Sequence, residues 1–249
     1  MEVFLNRIDG LDDAIISMFL SKRTLTRELE QEIRAEVARY SCPNNLTGLP
    51  MGAFDVRSVD HLSSKLIDWM TKLFKWGPKH ITMLRFIDLS FTVYGLHRAG
   101  QDDLDSHAMR MNNRIIRSST RLADFSHGEV SEFYDGKIVP TDVALAYLGI
   151  ETPEKIEYEG KTYVRAVNGY VLEEMKDNKD VKRGLYMLSI PSNFIFRCNL
   201  TEFSHIYKER NINSSANPEV KTCIESGVTQ LERATFSYIN RDLLMAIKN

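Results

Sequence analysis

Two arginines bracket a stretch whose residue types suit an anionic ligand. Arg183 opens it, a strand-like run ends at Arg197-Cys198, Asn199 turns the chain, and a short helical run passes His205 to reach Arg210. A guanidinium is planar, permanently charged and forked, so a pair of them held at the two ends of such a stretch suits a planar anion such as a nucleotide. A second concentration of charge lies upstream in Arg110, Arg114, Arg117 and Arg121, with Ser118 and Ser119 among them. Spacings of three and four residues put these arginines on one face of a basic helix predicted over 102–121. Like charges on one face repel, and become favourable when an anion or the carboxylates of another subunit sit opposite. From the residues alone, a solvated or interface face is the ordinary reading of such a run.

These groups need elements to hold them. Asn193 to Cys198 predicts a buried strand, and Asn199 a helix cap with Glu202 in the reciprocal position. Val3 to Ile8 predicts a short strand, Asp12 to Leu20 a helix, and Thr24 to Tyr40 a second helix with Leu25, Leu29, Ile33 and Val37 on its buried stripe. Cys42 to Phe54 is rich in proline, glycine and asparagine and reads as a loop. Ser58 to Lys75 predicts a helix carrying Leu62, Leu66, Trp69, Met70 and Leu73, ended by Gly77-Pro78. Ile81 to Val93 alternates and predicts a strand, with Gly100 closing the extended segment; His80 then reads as a structural histidine at the strand start. Lys155 to Arg165 predicts a hairpin turning at Glu159-Gly160. A charged helix over 171–182 and a final long helix over 220–247 complete the list. Helices and strands mix without regular alternation, so the class is α+β, read as a single domain over 1–249.

Composition bounds the rest. The 249 residues are 43% hydrophobic and 27% charged, with a formal net charge of -2. That balance argues against a nucleic-acid polymer as partner, yet leaves room for a small phosphorylated ligand met by a local arginine cluster. Cys42, Cys198 and Cys223 form no CxxC pair, so neither a disulfide framework nor a metal site is expected, and a reducing cytoplasm is the default. No signal peptide or membrane span is expected. No Walker loop, dinucleotide-binding glycine motif or HExxH occurs.

The order arginine, strand, asparagine, helix, arginine resembles the C-terminal part of the flavin-dependent thymidylate synthases, the ThyX family. Arg183, Asn199 and Arg210 fall into that register without gaps, and Ala216-Asn217-Pro218-Glu219-Val220 stands where the family has Ala-Gln-x-Glu-Ile. Upstream, Ser119-Thr120-Arg121 matches the family's Ser-x-Arg, and Ala38-Arg39-Tyr40-Ser41 matches the Ala-Arg-x-Ser that ends its first helix. The chain also departs from the pattern. The family's Arg-His-Arg falls on Met109-Arg110-Met111, its Asn-x-Arg on Asn199-Leu200-Thr201, and its Pro-Phe-Glu-His on Gly77-Pro78-Lys79-His80, with Lys75 at the position of a preceding histidine. Residues 1–37 are divergent, and 150–170 reads as a hairpin insertion.

The resemblance implies a mixed helix and antiparallel-sheet fold and a specific chemistry. The family reduces and methylates dUMP to dTMP, with methylenetetrahydrofolate giving the methylene, FAD the hydride and NADPH the electrons. It implies that Arg210 faces the pyrimidine, that Ser119, Arg121 and Arg183 complete the nucleotide pocket, and that Ser41, Arg110, Asn199 and His205 are flavin-side positions. It implies a homotetramer whose sites form between subunits. Two alternatives stand beside this: a flavin enzyme acting on another pyrimidine nucleotide, and a nucleotide-binding or structural homologue that has lost flavin.

Overall fold

Alternation of apolar and polar residues is what a half-buried strand requires, and β2 (Asp88–His97) supplies it with Leu89, Phe91 and Val93 turned inward. The computed structural model describes residues 1–40, 62–106, 114–117, 136–140, 153–166, 169–177, 191–212 and 216–247. In it β2 lies inside a four-stranded sheet, between β1 (Glu2–Asp9) and β8 (Pro191–Asn199), with β3 (Arg114–Arg117) beyond β8. All three pairings are antiparallel. Phe91 stands opposite Phe196 in the ladder, and its ring stacks on Phe196 and on Phe203 at 6.3 and 5.3 Å between centroids.

Helices join the core on this face. They are α1 (Leu11–Ser21), α2 (Arg27–Tyr40), α3 (Ser64–Trp76), α6 (Leu200–Tyr207) and α7 (Pro218–Ala234). Ile33 and Val37 of α2, and Leu66, Trp69, Met70, Leu73 and Phe74 of α3, form the buried stripes. Each such side chain removed from water contributes about 1.5–3 kcal/mol. The free edge of β1 is met by Gln230 of α7, whose carboxamide accepts from Leu5 N–H and donates to Val3 O. One side chain thus satisfies two backbone groups as a further strand would.

A second sheet has the order β4 (Ile138–Pro140), β7 (Gly169–Leu172), β6 (Lys161–Ala166), β5 (Lys155–Tyr158), again antiparallel. Its own small core is Ile156, Tyr163 and Tyr170. The expected hairpin is β5–β6, and Glu159 and Gly160 turn it with φ of 48° and 75°, the paired positive φ of a tight hairpin turn.

The structure corrects five expectations. The strand predicted from Ile81 begins at Asp88; Ile81–Leu84 is a helical turn, α4. There Met83, Leu84 and Ile87 bury together at helical spacing, and a short apolar run does not by itself choose between the two periods. Gly100 does not end the extended segment but lies inside α5 (Arg98–Ser106). The basic helix over 102–121 is not formed: α5 ends at Ser106, and Arg114–Arg117 is a strand paired with Phe194–Arg197. Ile115-Ile116 favours extended backbone, and the ladder with β8 satisfies it, so Arg114 and Arg117 lie on a strand and not on a helical face. Over 171–177 the expected helix is instead the end of β7 and a short 3-10 turn at Glu173–Met175, and 178–182 lie outside the described residues. The final helix is also divided, into α7 and α8 (Arg241–Ala246), by a turn in which Phe236 and Ser237 take φ of 52° and 63° and Asn240 caps α8.

Candidate functional site

The site grows from the junction of β2 with α5 and from the segment after β8. Asn199 ends β8 in extended backbone, and its side-chain oxygen accepts from Glu202 N–H at 2.9 Å and from the Thr201 hydroxyl at 2.6 Å. It is therefore the N-cap that the sequence predicts, buried and with its carboxamide oxygen committed. α6 runs from it to Tyr207, with half-buried His205 in its last turn. The helix then loosens into a π turn, Lys208–Ile212, which carries Arg210. Single π turns set into helices often mark functional positions, because the extra residue redirects a side chain. Asn211 anchors this turn to α7 through Lys221 O at 3.1 Å and Glu225 Oε1 at 3.0 Å.

Arg210 reaches the end of α5. Its Nη2 donates to Asp103 O at 3.2 Å and lies 3.5 Å from Ser106 Oγ. Both acceptors are neutral, and the helix C-terminus offers only a partial negative charge. The Nε–H of Arg210 is buried and has no hydrogen-bond partner among the described residues. A buried donor left unmade costs about 1–3 kcal/mol, so such a group marks a place for an acceptor. Arg197 has an unpartnered Nε too, but its charge is answered by Asp9 and Asp88 at 3.2 and 2.9 Å from Nη2.

At the other end of α5 lies a polar cluster whose connection the sequence does not reveal. His97, the last residue of β2, is fully buried, with Nδ1 against the Glu219 carboxylate and Nε2 at 3.1 Å from Asn217 Nδ2. Asn217 Oδ1 accepts from Glu219 N–H at 2.9 Å, which turns its amide toward His97. Nε2 must then accept, and the ring is neutral with its proton on Nδ1, donated to Glu219. The carboxylate favours an imidazolium and burial opposes it; burial prevails, pushing His97 down to about 4. Pro218 at the first position of α7 and Asn217 as its cap give a helix-start signal in the sequence. Nothing there pairs it with a histidine more than a hundred residues earlier.

Of the residues expected in a site, the structure brings Arg210 to α5 and sets Asn199 and His205 on α6 and its cap. Ser41, Arg110, Ser119, Arg121 and Arg183 lie outside the described residues. Thr201, at the family's arginine position, turns its hydroxyl onto Asn199. Neither described cysteine is a poised nucleophile: burial pushes both thiols up, Cys223 to about 12. No cluster of three or more metal-ligating side chains occurs among the described residues. A separate open depression of about 490 Å³, lined by Phe74, Lys79, Tyr238 and Asp242 among others, includes none of the expected site residues.

Solved structures share this architecture. The fold is ThyX-like. Two structures of thymidylate synthase X from Helicobacter pylori, each holding FAD and dUMP, match with TM-scores of 0.53 and 0.52. The matches cover 98% of this chain and 100% and 99% of theirs, at 15% identity. No family model matches the chain, and no curated protein does. The ThyX-like fold thus extends over nearly the whole sequence, with few side chains in common. No helix among the described residues is long and apolar enough to cross a membrane.

Proposed function

We propose that this chain binds a pyrimidine nucleotide in a ThyX-like site and carries out the reductive methylation of dUMP to dTMP, with methylenetetrahydrofolate, FAD and NADPH. The observation that carries the reading is Arg210. A guanidinium fixed by a π turn and by the end of α5, with a buried donor unmet, is prepared for an acceptor at a carbonyl edge. Such a preorganised cation stabilises negative charge as it develops on a pyrimidine carbonyl oxygen. Ser119, Arg121 and Arg183 would close the pocket around the phosphate, and a homotetramer would bring subunits together around it.

FAD, when bound, supplies the hydride. Among the described residues the flavin side is thin. Thr201 replaces a cation and is turned toward Asn199, whose oxygen is taken by the cap, leaving His205, with Ser41 and Arg110 outside the described residues. Among the described residues Arg210 suits an anionic pyrimidine, and fewer groups suit a flavin. The same observation favours a second reading, a nucleotide-binding homologue without flavin. The visible spectrum of the purified protein, an FAD titration and dUMP calorimetry separate the two. Saturable binding of both ligands supports the enzyme, and dUMP binding without FAD binding supports the second reading. Absence of dUMP binding removes both.

A further inference from the structure

Helix α5 is gripped at its two ends by different groups. At its start, His97 precedes Arg98 directly and is held by Glu219 and Asn217 at the beginning of α7. Gln101, one turn in, donates to Leu96 O at 2.9 Å and fastens the same corner. The packing there is close: a Cβ on Gly100 would lie 3.1 Å from His97 Cε1 and 3.1 Å from Val220 Cγ2. At its far end, the Asp103 carbonyl holds Nη2 of Arg210. The nine residues of α5 span about 13 Å, so a tilt of about 5° at the start moves the end by about 1 Å. A displacement of that size at a binding group is costly.

We propose that His97, with Glu219 and Asn217, is a positioning residue: it fixes the angle at which α5 leaves the sheet, and through Asp103 the direction in which Arg210 presents its free donor. The identity of the ligand rests on the function proposed above; the mechanical link does not. A buried hydrogen bond made only for stability would hold α7 to the sheet as firmly as it holds α5. The positioning role instead concentrates its effect on α5 and Arg210.

The test uses the full chain and three variants, His97→Asn, Glu219→Ala and Glu219→Gln. Hydrogen exchange is followed at 98–106 and across α7 and β8, the Arg210 Nε–H resonance by NMR, and dUMP affinity by calorimetry. His97→Asn and Glu219→Ala are expected to speed exchange in α5 and shift the Arg210 resonance. They should weaken dUMP about tenfold, while exchange in α7 beyond its first turn and in β8 stays unchanged. Glu219→Gln keeps an acceptor for Nδ1–H and is expected to restore all three readouts. Unchanged α5 exchange and an unmoved Arg210 signal in Glu219→Ala overturn the proposal, as does uniform loosening of every element. If His97→Asn fails to fold, the Glu219 pair reads the same link. If wild type binds no dUMP while α5 and Arg210 respond as expected, the nucleotide reading fails and the positioning role stands.

Discussion

The two ends of α5 hold polar groups under opposite terms. At the start, both ring nitrogens of His97 are engaged and the ring is fully enclosed. At the end, Arg210 has one donor met by a backbone carbonyl and another, Nε, met by nothing described. A satisfied buried cluster rigidifies and specifies a fold; a half-satisfied one either weakens a fold or awaits a ligand. The difference separates the residue that builds the site from the residue that uses it, although both are polar and at least half-buried.

The largest expected effect tests the enclosed end. His97 ordinarily titrates near 6.5 and is pushed down to about 4 by burial. The unfolded chain therefore takes up this proton first, so stability falls as pH drops through that window and the loss is complete below about 4. The total is on the order of 3 kcal/mol. Urea unfolding of wild type and His97→Asn between pH 7 and pH 4 should show the gap between them closing by that order. A constant gap would mean that burial does not shift His97 in the folded state.

Arg210 tests the open end. Arg210→Ala should weaken dUMP binding roughly tenfold to a hundredfold, equivalent to about 1.5–3 kcal/mol, with a stability change below about 1 kcal/mol. Arg210→Lys should not restore affinity fully, because an ammonium does not reproduce a planar two-pronged contact. Equal losses of stability and affinity would erase the contrast between the two ends.

Asn199 should behave as structure. Asn199→Ala is expected to cost about 1 kcal/mol through loss of the α6 cap, with dUMP affinity unchanged. An FAD affinity that falls further than stability does would return Asn199 to the flavin side. Smallest of all, Arg197→Lys should change stability by about 0–1 kcal/mol, because its partners Asp9 and Asp88 are partly solvated. A change in dUMP affinity in Arg197→Lys would show that its own unmet Nε faces the ligand.

Sequence patterns captured what local chemistry determines. The Asn199 cap, the Glu159-Gly160 turn and the stripes of α2 and α3 each follow from a few neighbouring residues, although Leu25 and Leu62 lie before the helices that they are expected to join. The start of β2 was misread because Ile81, Met83 and Ile87 satisfy both periodicities over so short a span, and only the burial of Leu84 beside Met83 decides for a helix. The arginine face failed for a different reason. Its spacing suits a helix, but Ile115 and Ile116 find a ladder with β8 some eighty residues later, and partners at that distance leave no mark on periodicity. The His97–Glu219 link was illegible on the same ground. The order strand, Asn199, helix, Arg210 was legible because it depends on consecutive elements; Arg183 lies outside the described residues.

Gln230 has a consequence for the order in which the chain is made. Leu5 emerges from the ribosome before its strand partner Phe91. The side chain that closes the outer edge of β1 comes 225 residues after Leu5. Until Gln230 is made, the Val3–Leu5 edge is therefore an open template for another nascent chain, and an open edge invites such pairing. Gln230→Ala is expected to leave that edge unblocked in the finished protein as well. The sign to look for is not a lower melting point alone but more insoluble product at fast expression than at slow.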